Sequence, residues 1–585
     1  MNSRTEEREQ KNSFEFHFRS NWHWWLLAVI VMFSFFLRVY NFEDFLLVRS
    51  DQIRDATFAQ TAFEKGPGDL RLLGPRMGDT VKLDNENKGD EFHLGPIYYY
   101  FQYLSSLIFS SVKPWVFAVP DLFFSTLAIF IFFLLSRCFF NKKISLAITT
   151  TFAFSFILIQ YSRFAWNTNQ LIFWELLFIL GMWRASFEKD KLKAGLWLLV
   201  CFFALAVVTQ LHLIAFFGFP LLTAIFWLFF RPKNIKLKYW FASAIIFILV
   251  YSPVIISDFA NKGDNIRRFV ANLQIEKEEK PVLAKLQKVI EREGEFYALA
   301  LTSFNDKELA YIEKIGTIFF LLSFIFFGSA LFFKKRRKKL SRKKRSFMAL
   351  TIIWTLVFFA LYYKIFDRLE RPRYFLSIAP LPFLVLAYCF ELFCRIKTKR
   401  AGMIITAFIV LLGVISNLYA LIFFYKTLSS GEKQEMSFRN VKMRPFRERI
   451  THGHINESIT YMTSEAEPDK NICYYFSNYQ SKSSIKYLGK IYHPEKVFKS
   501  FGSDEYLFDC KFFVITRKNK KLPENYRENF VTTGSREFKS LTVRNVEPKR
   551  ELLYDKKSFK LSQEKKKEKD SKILTWKDVF SKKSN

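Results

Sequence analysis

Long apolar runs separated by short basic stretches dominate this chain. Crossing a ~30 Å hydrocarbon core takes ~20 mostly apolar residues. Candidate runs lie at 22–40, 115–136, 144–160, 169–183, 195–210, 213–230, 239–256, 315–333, 347–363, 375–393 and 403–425. The pattern predicts a polytopic α-helical membrane protein with about eleven spans. The stretch 93–112 is apolar as well, but Gly95-Pro96, three consecutive Tyr and a polar stripe suit a helix lying at the outer interface.

The basic stretches orient these spans. The run KKRRKKLSRKKR at 334–345 is cytoplasmic under the positive-inside rule, and the basic loops around Lys142, Lys189, Lys236 and Lys397 then fall on the same side. The amino-terminal segment 1–21 is expected inside, with 41–113, 257–314 and 364–374 outside. If 93–112 spanned the membrane, every loop before it would invert. The leader lacks a small-residue cleavage site, so the first run is expected to be a retained span. The spans make up a membrane domain over 22–425 with a large first outer loop, 41–113. Beyond it, strand-like runs at 472–476, 512–516 and 541–543 predict an outer mixed α/β domain over 426–560. The Lys-rich remainder, 561–585, is expected to be disordered.

Composition narrows the class. Half of the 585 residues are hydrophobic, with 72 Phe and 12 Trp, which suits a lipid-embedded body. The net charge of +34 sits in clusters between apolar runs, so nucleic acid is not an expected partner; the lipid bilayer is. Cys201 and Cys389 lie in apolar runs and are expected to be inert, whereas Cys473 and Cys510 either pair or remain thiols.

Candidate chemistry gathers at the outer face. Within the spans Asp121 and Glu175 are the clearest charges, fewer than an ion pathway normally needs. The first outer loop opens with Arg49-Ser50-Asp51-Gln52-Ile53-Arg54-Asp55. Asp51 and Asp55 are four apart and share one face of a helix. They read either as a split-role carboxylate pair, one of them a general base, or as a helix cap and a solvated first-turn acid. At the same expected depth lie Gly74-Pro75, His93 to Tyr100 with Tyr98 among them, Arg163 to Asn167, Gln210-Leu211-His212 and Arg371-Pro372-Arg373-Tyr374. Arg and His converging there suit a phosphate, since guanidinium binds phosphate bidentately. Taken singly, Arg163 or Arg373 reads as an interfacial snorkelling residue and His212 as a hydrogen-bonded structural histidine.

Taken together these stretches resemble the GT-C membrane glycosyltransferases of the family 39 type: protein O-mannosyltransferases, the aminoarabinose–lipid A transferase and Rgt-type bacterial enzymes. The resemblance rests on SDQIRDATFAQ at 50–60, LLGP at 72–75, HLGPIYYYF at 93–101, SRFAWNTNQ at 162–170, TQLH at 209–212 and RPRYFLSIAPLPFL at 371–384. It implies a polyprenyl-phosphate sugar donor, an extracytoplasmic active site and inversion at the anomeric carbon, with Asp51 as catalytic base and Asp55 beside it. Arg163, His212, Arg371 and Arg373 would hold the donor phosphate. His93, Tyr98, Asn167, Gln210 and Tyr374 would position substrate. The chain departs from the pattern at Asn167-Thr168, where Pro often follows the Asn, and in an insertion around 82–90. The acceptor is expected to be a cell-envelope glycan, lipid or protein; members of the family differ on divalent-cation dependence, and with Asp51 and Asp55 as the clustered loop carboxylates no cofactor or metal is expected, a divalent cation being the alternative. The other readings are a transporter or flippase of lipid-linked saccharides, which needs a charged central cavity, and a non-catalytic membrane scaffold.

Overall fold

The computed structural model describes residues 3–77, 92–273, 281–303, 311–365, 369, 371–395, 399–431, 450–478, 481–502, 510–549 and 573–581. The membrane body opens with α1 (Ser3–Val39), α2 (Ser50–Lys65), the paired strands β1 (Arg76–Met77) and β2 (Phe92–His93), and α3 (Ile97–Phe109). It continues through α4 (Pro114–Phe139), α5 (Lys142–Ala153), α6 (Phe156–Tyr161), α7 (Leu171–Phe187), α8 (Lys191–Leu211), α9 (Leu213–Phe230) and α10 (Leu237–Ala260). Next come α11 (Asp264–Leu273), α12 (Val282–Leu301), α13 (Tyr311–Phe332), α14 (Lys334–Lys338) and α15 (Arg342–Lys364). After a 3-10 turn at Pro372–Ile378, α16 (Pro380–Phe393) and α17 (Lys399–Ser430) complete the body. Among the described residues nine helices are long and apolar enough to cross a membrane, and the bent pair Pro372–Ile378 with Pro380–Phe393 makes a tenth.

The 144–160 run differs from expectation. It is not one continuous span but breaks between α5 and α6. In hydrocarbon the backbone groups freed by such a break need protein partners. Asn417 on α17 supplies them: its Oδ1 accepts from the Phe156 backbone N–H at 2.8 Å and from Ser303 Oγ at 2.9 Å. Its Nδ2 donates to the carbonyls of Leu301 and Gly413. One amide thus satisfies both the start of α6 and the end of α12.

α3 has 13 residues, about 20 Å of helix at 1.5 Å per residue, well short of a crossing. It ends where Ser110 turns left-handed at φ 47°. Within the segment 257–314, expected outside, α12 packs against the helix bundle. Lys285 Nζ lies 5.7 Å from the Tyr363 ring at one end of α15, and Tyr297 lies near Thr355 two turns along it, so α12 runs antiparallel to α15 into the bundle. Gly294 permits this: a Cβ there would come within 2.3 Å of Thr317 Oγ1 on α13.

The C-terminal domain holds α18 (His452–Glu465), β3 (Asn471–Phe476), α19 (Lys482–Tyr492), β4 (Phe498–Ser500), β5 (Cys510–Arg517), α20 (Glu524–Asn529), β6 (Phe530–Phe538) and β7 (Leu541–Pro548). Its sheet has the order β4-β3-β5-β7-β6, with β4, β3 and β5 parallel and the β5–β7 and β7–β6 pairs antiparallel. Cys473 and Cys510 are joined as a disulfide, their Cα atoms 5.5 Å apart.

This domain sits on the first loop. The His452 and Gly453 N–H groups donate to the carbonyls of Leu46 and Asp44, Ser484 Oγ donates to Val48 O, and Tyr487 donates to Val112 O. The tail also departs from expectation. α21 (Trp576–Ser581) and the residues before it fold back onto the loop, with a β-bridge between Arg71 and Thr575. The rest of 561–585 lies outside the described residues.

Two expectations follow. Asn417→Leu strands several buried backbone groups, so it should lower unfolding stability by about 1–3 kcal/mol, read as a drop in the thermal midpoint in detergent. His452 gives a pH signature. The Tyr492 hydroxyl donates to Glu43 at 2.9 Å and faces His452 Nε2 at 3.1 Å, so that nitrogen carries the proton. Burial holds the imidazole below its ordinary pKa, against the pull of Glu43 and Asp44. Its contribution is therefore complete above about pH 6.5 and lost as pH falls through the depressed value. The thermal midpoint should decline on acidification below that point, and His452→Gln should flatten that part of the decline.

Candidate active site

The chain after α1 turns at Asn41 and reaches α2 through Arg49 in extended geometry. α2 takes no side-chain cap, so Asp51 in its first turn is not a capping residue. Its carboxylate is half-exposed and lies 3.4 Å from Arg54 Nη1. Asp55, one turn on, is only 2% exposed. Nε and Nη2 of Arg54 both lie 2.8 Å from Asp55 Oδ1, and the Tyr99 hydroxyl on α3 donates to the same oxygen at 3.2 Å. Burial raises the Asp55 carboxyl above the usual range, while Arg54 and the Tyr99 hydrogen bond oppose that shift. Burial would weaken the Arg54 cation, but Asp55, Tyr99 and Asp51 more than offset this and hold it above the ordinary arginine value. Of the two carboxylates, Asp51 meets solvent and Asp55 orients the guanidinium between them.

A cationic centre lies beside this pair. Arg49, Arg371 and Arg373 all lie near enough to the Tyr161 hydroxyl for their charges to act on it. Pro372, Pro380 and Pro382 keep 371–382 from forming one regular helix, which leaves the two arginines on the 3-10 turn. Trp354 and Tyr362 pin that turn through the carbonyls of Ser377 and Tyr374. The Arg373 guanidinium lies 4.8 Å from the Trp166 ring and 4.9 Å from the Tyr374 ring, and Nη2 donates to the Tyr374 hydroxyl at 3.1 Å. Asp121 accepts from the Tyr98 hydroxyl at 3.2 Å and lies near the Trp166 backbone.

His212 caps α9, its Nδ1 accepting from Ile214 N, so Nε2 carries the proton. Burial first, and then Arg373, push its pKa down to about 3. It is a neutral N–H donor at this centre, and the positive charge comes from the arginines.

No family model matches the chain, and no curated protein matches it in sequence. Solved structures do match. ArnT from Cupriavidus metallidurans in the apo state has a TM-score of 0.50 and 11% identity, over 90% of this chain and 98% of that one. The chain has the GT-C fold. ArnT bound to undecaprenyl phosphate matches at TM-score 0.49 and 12% identity, over 89% and 97% of the two chains. The archaeal oligosaccharyltransferase AglB from Archaeoglobus fulgidus, in complex with an inhibitory peptide and a dolichol-phosphate, matches at 0.47 and 13%, over 86% and 70%.

Several residues expected at the site have hydrogen-bond partners within the protein. Arg163, expected to hold phosphate, has its guanidinium on the carbonyls of Leu37, Arg38 and Tyr40 at the end of α1, over the Tyr425 ring. Those carbonyls are the negative end of the helix dipole and compete directly with an anionic ligand. His93 clasps the loop: Nδ1 bonds Gly74 O at 2.8 Å, and its backbone exchanges hydrogen bonds with the Asn265 amide. Asn167 donates to Leu211 O, and Gln210 donates to the carbonyls of Ala206 and Val250 while packing on Gly95. Tyr98 faces Asp121, so its neighbour Tyr99 is the residue that reaches Asp55.

The residues that sequence reasoning missed are Arg49, Arg54, Tyr99 and Tyr161. The first two stand in the string that flagged Asp51, and their charge was the available signal. Arg54→Gln should destabilise by about 1–3 kcal/mol. Adding Asp55→Asn should return part of the loss, a coupling of about 0.5–3 kcal/mol in a double-mutant cycle of unfolding measurements.

Proposed function

We propose that this chain is an inverting glycosyltransferase moving a sugar from a polyprenyl-phosphate donor to a hydroxyl acceptor at the outer face of the membrane, with Asp51 as general base. One observation carries the reading. Arg49, two residues before the half-exposed Asp51, lies with Arg371 and Arg373 near the Tyr161 hydroxyl, so a cationic centre from two distant parts of the chain lies beside a solvent-facing carboxylate. The GT-C fold supports it, and the lipid donor is the one that the sequence resemblance implies.

Asp51 takes the acceptor hydroxyl proton as that oxygen attacks the anomeric carbon. The bond from that carbon to the phosphate oxygen breaks, the polyprenyl phosphate leaves, and Asp51 later returns the proton to water. The leaving phosphate gains negative charge as the bond breaks, so Arg49, Arg371 and Arg373 stabilise the transition state more than the bound donor. His212 adds a neutral donor there. Asp55 is a positioning residue that holds Arg54 against Asp51. No metal or cofactor enters this scheme. The acceptor belongs to the cell envelope: a glycan, a lipid or a protein.

The basic run at 334–345 supports a cytoplasmic amino terminus and an outward site. The Cys473–Cys510 bridge supports placing the C-terminal domain in an oxidising, extracytoplasmic compartment.

A second reading, transport of a lipid-linked saccharide, draws on Glu175 and Glu293. Both are fully buried, both act on Tyr362, and no oxygen of either has a hydrogen-bond partner among the described residues.

The deciding experiment assays protein in proteoliposomes with polyprenyl-phosphate sugars. Transfer should fall about 10²–10⁴-fold in Asp51→Asn with folding retained. Full activity in that variant removes the base assignment. Translocation of intact donor without transfer favours the second reading.

A further inference from the structure

The last described segment returns to the first loop, where it meets residues 70–72 and Tyr100. Leu72 N donates to Leu574 O at 3.0 Å, Trp576 N donates to Leu70 O at 3.2 Å, and Arg71 pairs with Thr575 in an antiparallel bridge. The short helix that follows is closed by its own chemistry. Asp578 Oδ2 accepts from the Thr575 N–H and hydroxyl, both at 2.8 Å, and Asp578 N donates back to Thr575 Oγ1.

Position along the chain does not force this contact. The residues at 550–572 could reach roughly 80 Å when extended, so the segment stays where its own interactions hold it.

From there two routes lead to Asp55. In the first, Trp576 Nε1 donates to the Tyr100 hydroxyl at 3.0 Å, and that hydroxyl donates to Arg71 O at 3.0 Å. Tyr100 is the next residue on α3 after Tyr99, whose hydroxyl bonds Asp55. In the second, the Arg71 guanidinium stacks 3.3 Å from the Phe58 ring on α2, and Phe58 meets Tyr99 edge-on at 5.4 Å.

We propose that Trp576 is a positioning residue for the active site, holding α3 through Tyr100 so that Tyr99 stays on Asp55 and Arg54 stays between the two carboxylates. This rests on the glycosyltransferase reading, and it assigns the C-terminal segment 573–581 a role in that reaction. The charged and titratable groups facing the cluster are Asp51 and Arg54 on α2, Tyr98 and Tyr99 on α3, and Arg71, which acts on Tyr99. The Tyr99 hydrogen bond favours ionised Asp55, so slackening it moves Asp55 protonation to higher pH.

The test compares Trp576→Ala, Trp576→Phe and Tyr100→Phe in the full-length protein by kinetics and by hydrogen exchange. Trp576→Ala should lower kcat about 10–100-fold and move the acid limb of the pH–rate profile upward, with the donor KM changed less. Trp576→Phe should show a smaller loss, because it removes only the bond to the Tyr100 hydroxyl, and Tyr100→Phe a loss at least as large, because it also removes the bond to Arg71 O. Amide exchange over 97–101 should speed up in Trp576→Ala.

Unchanged exchange overturns the proposal whatever the catalytic result. Faster exchange with an unmoved pH profile also overturns it, because a merely structural contact behaves that way. Wild-type protein without transferase activity instead overturns the glycosyltransferase reading, and with it the catalytic half of this proposal.

Discussion

Asp55 is a charge almost removed from water, and a carboxylate in that position needs compensation. Arg54 and Tyr99 provide it, and the arrangement of the first loop follows. Arg54 is fixed between two carboxylates. α3 lies where its second tyrosine can reach α2. The neighbouring tyrosines are taken up by Asp121 and by the returning C-terminal segment. Three consecutive tyrosines thus face three different partners, as the 100° step of a helix requires.

The arginines at this end of the bundle divide by what they touch. Arg38 and Arg163 are turned to backbone: Arg38 bonds Ser34 and the Ala153 carbonyl, and Arg163 bonds the end of α1. They neutralise the carbonyls left open where a helix stops and where α5 breaks. Arg373 instead lies against aromatic faces, which position a guanidinium while using few of its N–H donors. Stacked arginine keeps most of its N–H donors for a ligand; carbonyl-bound arginine has its Nη donors turned to backbone.

Much of the fold was legible because lipid imposes a simple rule on composition. Most apolar runs of sufficient length became helices in the expected places, and three of the five C-terminal strands, β3, β5 and β7, lie where β-branched and aromatic runs stand between lysines and asparagines. The exceptions share a cause. The break at Phe154-Ser155 depends on Asn417, more than 250 positions away, and α12 enters the bundle because Gly294 fits against α13. Neither partner is visible in the local pattern. The site follows the same logic. Asp51, Asp55, Arg371 and Arg373 stood out by charge and spacing. Which of three tyrosines faces inward, and which arginines serve backbone, depended on tertiary contacts with no periodic signature.

The docking of the C-terminal domain on the first loop has a consequence for biosynthesis. Val48 and Tyr100 are translated early, yet they bond Ser484 and Trp576, 436 and 476 positions later. The loop emerges from the ribosome long before the surfaces that fix its shape. A nascent chain therefore carries every side chain of the first loop before the partners that hold it, and synthesis of Ser484 and Trp576 becomes the step that lets the loop take the shape described here.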